Sequence, residues 1–175
     1  MRGNVSIPEV VNSFNVYKEG NVLIGISGEV TLPDLTAITE TLTGPGILGE
    51  IESVIVGHFG ALDQEIPFRM LDGDIFDLAN PLTVQELTLR ASQQSTVKST
   101  GAITFNGMRI VFRGRPKDFK PGTMKNGGQM GASITLSLVY ILVEIDGKRK
   151  LELDKLNNVY KINDKDILEL VKKHC

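Results

Sequence analysis

The segment GPGILG at residues 44–49 is the motif in this sequence that comes nearest to a known chemical site. It fits the G-x-G-x-x-G pattern of dinucleotide-binding loops. Such a loop holds a pyrophosphate only when a helix begins directly after it, because the amides of the first helical turn face the anion. Here residues 50–57 alternate like a strand, and Pro45 has no amide hydrogen to donate. The pattern therefore predicts a connection between two strands, not a nucleotide site.

The other residues suited to catalysis or metal binding are two histidines, His58 and His174, and one cysteine, Cys175. Neither histidine has a second titratable partner close to it in the sequence, so no catalytic pair or metal cage is indicated. His58 lies in a predicted strand, where a structural role is favoured over a catalytic one. A single cysteine excludes an intramolecular disulfide and a four-cysteine zinc site. We predict no enzyme activity, no metal and no cofactor.

The densest basic cluster is formed by Arg113, Arg115, Lys117 and Lys120. It suits phosphate contact, or else a solvated rim or a salt-bridging interface. No aromatic side chain lies between Arg113 and Lys117 to stack a base, as single-strand binders require. The whole chain has 19 basic and 21 acidic residues, so it also lacks the basic excess of a dedicated nucleic-acid binder. The rim or interface is the favoured interpretation.

Strand patterns dominate the elements that would position these residues. The alternation of apolar and polar residues and the turn signals predict strands at 13–17, 22–32, 35–43, 50–59, 62–70, 84–92, 110–117, 132–145 and 150–162. Residues 93–100 are predicted to be an exposed loop, and Asn106-Gly107 to be a tight turn. Short helices are expected over 72–79, capped by Asp72 or Asp74, and over 164–174. The chain is predicted to be mainly β with one or two short helices.

A length of 175 residues with 41% hydrophobic side chains suits one domain, and no linker or repeat divides it. Within this single domain, 1–175, we predict an N-terminal arm at 1–13 and a mobile glycine-rich loop at 121–131. The longest apolar segment, 134–145, is about half a membrane span, and the start of the chain has no signal-peptide pattern. We predict a chain that is cytoplasmic when made and that does not insert into a membrane.

Four blocks of sequence carry a family resemblance. They are GEVTLPDLT at 28–36, IVFRGRPK at 110–117, the hairpin at 134–148 and LELDKLNNVYKIN at 151–163. In order and with compatible spacing, the chain from about 14 to 166 resembles the major tail tube proteins of contractile-tailed phages, which are related to R-type bacteriocin tubes. Residues 93–106 depart from the family by several extra residues.

The resemblance implies an antiparallel β-sandwich or partial barrel that joins five other copies in a large hexameric β-barrel ring. Rings would stack into a hollow conduit for DNA delivery, and the family has no catalytic residues to carry over. The implied partners are the subunit itself, sheath protein outside, a baseplate or initiator and a terminator at the ends, and DNA in passage. The subunit would be found in the host bacterial cytoplasm during assembly and in the virion tail, or a bacteriocin particle, when mature.

Two alternatives remain at this stage. An R-type bacteriocin tube or related contractile injection system would use the same fold. A monomeric β-sandwich binding module, for a glycan for example, would expose aromatic side chains on one face, and this chain has no Trp and three scattered Tyr.

Particular residues are expected to form the channel and the contact between rings. A channel that lets DNA slide should avoid cations, because each cation on a phosphate adds affinity. The predicted lumen-lining residues carry hydroxyls and carboxylates: Thr39, Glu40, Thr41, Glu50, Glu52 and Ser53. Ser133, Thr135 and Ser137 give a similar row of hydroxyls. The predicted inter-ring contacts, besides the arm at 1–13, are Gly122, Lys125, Asn126, Gly127 and Gly128.

Overall fold

The structure, a computed structural model, describes residues 5–23 and 25–175. The described chain is mainly antiparallel β with two short helices, which confirms the predicted fold class. Its strands are β1 Ser6–Lys18, β2 Asn21–Val22, β3 Ala37–Leu42, β4 Ile51–Phe59, β5 Asp63–Phe68, β6 Gln85–Val97, β7 Ile103–Lys120, β8 Ala132–Ile145, β9 Lys148–Asp154, β10 Val159–Ile162 and β11 Lys165–Asp166. Its helices are α1 Gly73–Leu78 and α2 Glu169–Lys172.

Nine strands form one sheet in the order β11-β10-β9-β8-β7-β6-β1-β2, with β5 also paired to β8. The long strand β8 pairs with β7 along one edge and with β5 and then β9 along the other. The β7–β8 register shifts at Arg113/Gly114 and at Pro116/Asp118. Such bulges bend a strand. Strands β3 and β4 form a second, two-stranded sheet.

The core is one hydrophobic cluster that collects side chains from β1, β5, β6, β7, β8, β9 and α1. Phe68, Phe112, Ile134 and Leu136 are almost completely buried in it. Because successive side chains of a strand point to opposite faces, the buried even-numbered residues of early β8 line the core face. The nine-stranded sheet therefore has a finished hydrophobic interior within one chain.

Helix α1 closes one side of this core. The Asp72 carboxylate accepts a hydrogen bond from the Asp74 amide at 3.1 Å, which caps the first turn. Ile75 and Leu78, on the inner face of the helix, are fully buried. These contacts confirm the helix predicted over 72–79.

Gly114 marks the closest approach of two core strands. A Cβ atom added there would overlap the carbonyl of Ser137 on the neighbouring strand β8. We expect Gly114→Ala to lower the free energy of unfolding by about 1–3 kcal/mol, since a backbone clash forces the strands apart. Chemical denaturation of the monomer measures the change. Gly107→Ala is the matched control on the same strand, because an added Cβ there meets nothing within 4 Å. Equal losses at the two positions would contradict this account.

The strands predicted at 35–43, 50–59, 62–70 and 132–145 are confirmed by β3, β4, β5 and β8. Strand β8 alternates over 132–138 and is then almost continuously apolar, so its local pattern matches its tertiary pairing, whereas β5 begins with three polar residues in succession at 63–65.

The predicted start of the sheet is wrong in two places. Strand β1 begins at Ser6 and not at residue 13, so most of the predicted arm at 1–13 is a sheet strand, while residues 1–4 and Ile24 lie outside the described chain. The strand predicted over 22–32 ends at Val22. Gly25, with a φ of 91°, interrupts it, and one isolated bridge joins Ile26 to β5.

The prediction of an exposed loop at 93–100 with a turn at Asn106-Gly107 is also wrong. Strand β6 continues to Val97, β7 already begins at Ile103, and the turn occupies 98–102. The side chains at 93–96 are all polar, so no alternating pattern predicted that the strand continues through them. Pairing to β1 on one side and β7 on the other overrides their weak local preference.

The C-terminal elements are shorter than predicted. The strand predicted over 150–162 is divided into β9 and β10 by a turn in which the Asp154 carboxylate accepts from the amides of Leu156 and Asn157. The helix predicted over 164–174 is reduced to the four residues of α2. Asp164 has a φ of 63°, which a helix does not allow, and β11 pairs with β10 instead.

Candidate assembly surfaces

In the described chain the strands of the hairpin β3–β4 pair only with each other. Pairing of Leu42 with Ile51 and of Thr41 with Glu52 defines its register. The connection at 44–49 is a turn closed by the Ile47 amide on the Gly44 carbonyl at 3.1 Å. A strand follows directly, as the sequence predicted, so the glycine-rich motif opens no helix.

The register divides the hairpin into two chemically different faces. One, called here the polar face, consists of Thr39, Thr41, Glu52, Val54 and Val56. The other, the apolar face, consists of Ile38, Glu40, Leu42, Ile51, Ser53 and Ile55. The predicted lumen-lining residues are therefore not brought together: three share the polar face, Glu40 and Ser53 lie opposite, and Glu50 precedes the strand.

Both faces of this hairpin are exposed in the single chain. The apolar side chains of the hairpin, Ile38, Leu42, Ile51, Val54, Ile55 and Val56, are between 39% and 57% accessible. A two-stranded ribbon with apolar groups on both faces is marginal in water. Contiguous exposed apolar surface of this kind is typical of a protein–protein contact.

The base of the hairpin, in contrast, is firmly attached. A Cβ atom at Gly57 would overlap the buried side chain of Leu168, so the C-terminal segment packs directly on β4. The rings of Phe59 and Tyr160 meet edge to face with centroids 5.1 Å apart. Lys155 donates to the carbonyl of Gly60 at 2.6 Å. The hairpin thus projects from the body at a defined position.

The sequence around the hairpin has a charge bias that was not used in the predictions. No lysine or arginine occurs between Lys18 and Arg69, and that stretch contains eight aspartates and glutamates. The hairpin lies within this anionic stretch, although the net charge of the whole chain is only −2. A count of charge along the sequence is the signal that could have identified it.

The predicted inter-ring residues lie on one loop but differ in their roles. Gly122 has a φ of 85°, and a Cβ atom added there would overlap the carbonyl of Met130. The Thr123 amide donates a hydrogen bond to that carbonyl at 2.8 Å. Gly122 therefore belongs to the neck of the loop. The tip contains Lys125, Asn126, Gly127 and Gly128, all exposed, and Met124 with 85% of its surface accessible.

Three of the four residues of the basic cluster, all except Arg115, form ion pairs on the sheet surface, as expected of a rim. Lys117 bonds Asp63 at 2.6 Å, Lys120 lies 3.5 Å from Glu65, and Arg113 pairs with Glu86. Each pair is largely exposed, so its contribution to stability is small.

Ser133 does not belong to an open row of hydroxyls. It is 6% exposed and donates to the Glu65 carboxylate at 2.6 Å. That hydrogen bond lowers the pKa of Glu65 below its ordinary value. The hydroxyl therefore acts within the subunit, at the junction of β5 and β8.

The outer face of the sheet, opposite the core, is a second ordered polar surface. Arg109 bonds Glu144 at 2.6 Å, and the Arg113 guanidinium lies 4.4 Å from the ring centroid of Tyr140. The Arg109 hydrogen bond lowers the pKa of Glu144. Val111 is buried beneath these side chains. These charged side chains pair with one another within the subunit.

The predicted chemical residues are not assembled into a site. His58 is exposed on β4, and within residues 5–23 and 25–175 no group of three or more potential metal ligands comes together. None of the helices in the same residues is long and apolar enough to cross a membrane. A complete interior combined with a projecting, half-apolar hairpin defines a class of protein: a structural subunit that associates with other chains.

Comparison with known proteins agrees with that class. The model of the family described as phage tail tube protein FII matches residues 8–175, and the chain belongs to this family. It is 28% identical over 166 residues to the tail tube protein of Escherichia phage P2, covering 94% of this chain and 95% of that protein. It is 29% identical over 163 residues to the major tail tube protein of Serratia phage KSP20, covering 93% and 92%.

Membership in this family confirms the resemblance found in the sequence. The chain is a structural subunit of a phage tail tube, a component of the virion, and not an enzyme.

Proposed function

We propose that six copies of this subunit close into a ring and that rings stack into the hollow inner tube of a contractile tail, through which DNA is delivered. The hairpin β3–β4 carries the proposal, because both its faces are exposed and both its outer edges lack a strand partner in the described chain. Open edges favour pairing with other chains. Ring closure supplies those partners, since the strands of a closed barrel have no free edge.

Head-to-tail contacts explain both the ring and the tube. Repeating a head-to-tail contact gives a closed ring when its rotation returns the last subunit to the first. The same kind of contact gives an open filament when each step also includes a translation. Contacts around the ring would use the edges and apolar face of the hairpin. Contacts along the tube would use other surfaces, at the two ends of the subunit.

The polar face of the hairpin is the proposed wall of the channel. Thr39, Thr41 and Glu52 point the same way, and the hairpin has no lysine or arginine. A wall of hydroxyls and carboxylates gives DNA phosphates no cation to bind. Of the predicted lining residues, Glu40 and Ser53 would then face protein, and Glu50 would lie at the rim.

The glycine-rich loop at 121–131 is proposed to contact the adjacent ring. We expect deletion of 123–128 to leave a folded monomer that forms rings but no long tubes. The neck makes this deletion tolerable, because Gly122 already lies against Met130. Tube length in negative-stain micrographs and the melting curve of the monomer are the measurements.

The matched control for this deletion replaces 123–128 with glycine and serine at the same length. It separates loop length from the side chains of Met124 and Lys125. Tubes of normal length from the deletion variant would refute a role for the loop.

The remaining proposed partners follow from the position of the tube. A sheath protein would surround it, a baseplate or initiator would order the first ring, and a terminator would end the last. Assembly would take place in the host bacterial cytoplasm.

Electron microscopy of the purified, concentrated protein tests the proposed function as a whole. The expected result is hollow rings with six-fold symmetry and tubes made of them, with or without an initiating complex. A protein that stays monomeric at high concentration with initiator proteins present would contradict the proposal.

A further inference from the structure

Strand β7 carries exposed surfaces at both of its ends. It has 18 residues, so it spans at most about 60 Å when extended. It begins at Ile103, next to the ends of β1 and β6, and it ends at Lys120, directly before the glycine-rich loop. The two ends of β7 therefore lie at two different surfaces, on opposite ends of the subunit.

The surface at the first end is a strip across three strands, called here the three-strand tip. Its first row is Ile7, Thr96 and Ile103, and its second is Val10, Gln94 and Phe105. Residues paired across strands share a face, so all six side chains point the same way. The four apolar members of the strip, Ile7, Val10, Ile103 and Phe105, are between 49% and 61% exposed.

A fixed carboxylate lies in the middle of this strip. The Glu9 carboxylate accepts hydrogen bonds from the Thr96 hydroxyl at 2.6 Å and from the side-chain amide of Gln94 at 2.9 Å. The Thr96 bond, followed by the Gln94 bond, lowers the pKa of Glu9, so the group is ionised at neutral pH. The tip therefore offers an apolar surface with one oriented negative charge at its centre.

The edge of β1 beside the tip is protected against the addition of a strand. Pro8 has no amide hydrogen, and the β1–β6 register shifts at Pro8/Val10 and again at Val11/Ser13. Proline and bulges on an edge prevent regular pairing with another chain. A partner at the tip is thus expected to pack with side chains and not to extend the sheet.

The surface at the second end has the complementary chemistry. Met124 is 85% exposed and is followed by Lys125, which forms no ion pair in the described structure. Methionine adapts its shape to an apolar surface, and the lysine provides a single positive charge. One apolar group with one cation matches one apolar strip with one anion.

We propose that the three-strand tip of one subunit receives the glycine-rich loop of a second copy in the adjacent ring, with Met124 against Phe105 and Ile103 and with Lys125 beside Glu9. This inference rests on the proposed tube and names the pair of surfaces that stacks it. The occupant of the tip is another copy of this chain, because the two surfaces are at opposite ends and a head-to-tail contact requires two such surfaces.

Exchange of the two charges tests the pairing. Glu9→Lys and Lys125→Glu should each raise the critical concentration for tube growth about tenfold or more, because like charges then meet at the contact. The double variant should return the critical concentration to within about threefold of that of the unchanged chain. Sedimentation of assembled tubes at increasing protein concentration measures it.

Two matched controls make the same charge changes away from the ends of β7. The controls are Glu19→Lys and Lys148→Glu. Glu19 lies in the β1–β2 turn, whose neighbour Lys18 is level with Phe112 of β7. Lys148 follows the β8–β9 turn and is level with Met108 of β7. Neither control should change tube growth more than about twofold. Single variants that grow normally, or a double variant no better than the singles, would overturn the pairing.

A second measurement does not depend on how Glu9→Lys folds. Phe105→Cys combined with Met124→Cys, in a Cys175→Ser background, should give disulfide-linked oligomers of the chain in oxidised tubes. Tubes that yield only monomers would overturn the proposal. Failure of the unchanged chain to form tubes when initiator proteins are present would contradict the proposed function itself, whereas normal growth of every variant would contradict only this contact.

Discussion

Lysine at both Leu42 and Ile51 is expected to abolish ring formation while the subunit stays folded. The two side chains are paired on the apolar face and are 46% and 51% exposed, so their loss removes little from the core of the monomer. In the assembled ring they would be buried, and an unpaired buried charge is strongly unfavourable. We expect at least a hundredfold loss of assembly. Light scattering after size exclusion measures it, and the melting temperature should change by less than about 3 °C.

The control for this experiment is the next cross-strand pair of the same hairpin. Thr41 and Glu52 are paired on the polar face, the proposed channel wall. Lysine at both positions should leave rings and tubes intact but make the channel bind DNA, with an affinity that falls as salt increases. The reverse outcome, with rings lost in the Thr41/Glu52 variant and kept in the Leu42/Ile51 variant, would show that the channel faces the other side of the hairpin.

The central strands of the fold could be predicted because their local pattern and their tertiary role agree. Residues of β8 from Ala132 to Ile145 are apolar on the face that forms the core, and the Asp146-Gly147 turn returns the chain to β9. Where both faces of a strand are polar, as at 93–96, no local pattern reports the strand. The strand depends on pairing with β1, which lies more than eighty residues earlier in the chain.

At the C-terminus the error was the opposite one, because the sequence pattern predicted a helix longer than the one observed. Ile167, Leu170 and Val171 have helical spacing, but all three are exposed, and the buried anchor is Leu168. Helix stability comes mainly from packing an apolar face, and here no such face is packed. Ile167, Leu170 and Val171 instead lie on the surface of the subunit.

The assembly surfaces were only partly accessible to sequence reasoning. Composition identified the hairpin as hydroxyl- and carboxylate-rich, but the pairing of Thr41 with Glu52 and of Glu40 with Ser53 decides which residues share a face. That register depends on the length of the turn at 44–49. The three-strand tip was missed altogether, because none of its members lay in a predicted strand. Residues 7 and 10 fell in the predicted arm, 94 and 96 in the predicted loop, and 103 and 105 before the predicted turn at Asn106-Gly107.

Phe112→Ala is expected to be among the most destabilising single substitutions in the subunit. The ring is fully buried in the core and lies on β7 between β6 and β8. Removing it loses the transfer free energy of the ring and leaves a cavity, together about 3–5 kcal/mol. Much of the total stability of a domain of this size would be lost. Urea denaturation of the monomer measures the change.

Phe105→Ala, seven residues earlier on the same strand, separates stability from assembly. Its ring is 61% exposed and lies on the opposite face from Phe112. Its removal should change the free energy of unfolding by less than about 1 kcal/mol, but it should impair tube growth as the charge reversals do. The two faces of β7 would then have different roles. Even-numbered residues would stabilise the subunit core, and odd-numbered residues at the start of the strand would contact the adjacent ring. Equal effects of the two substitutions on both measurements would contradict this division.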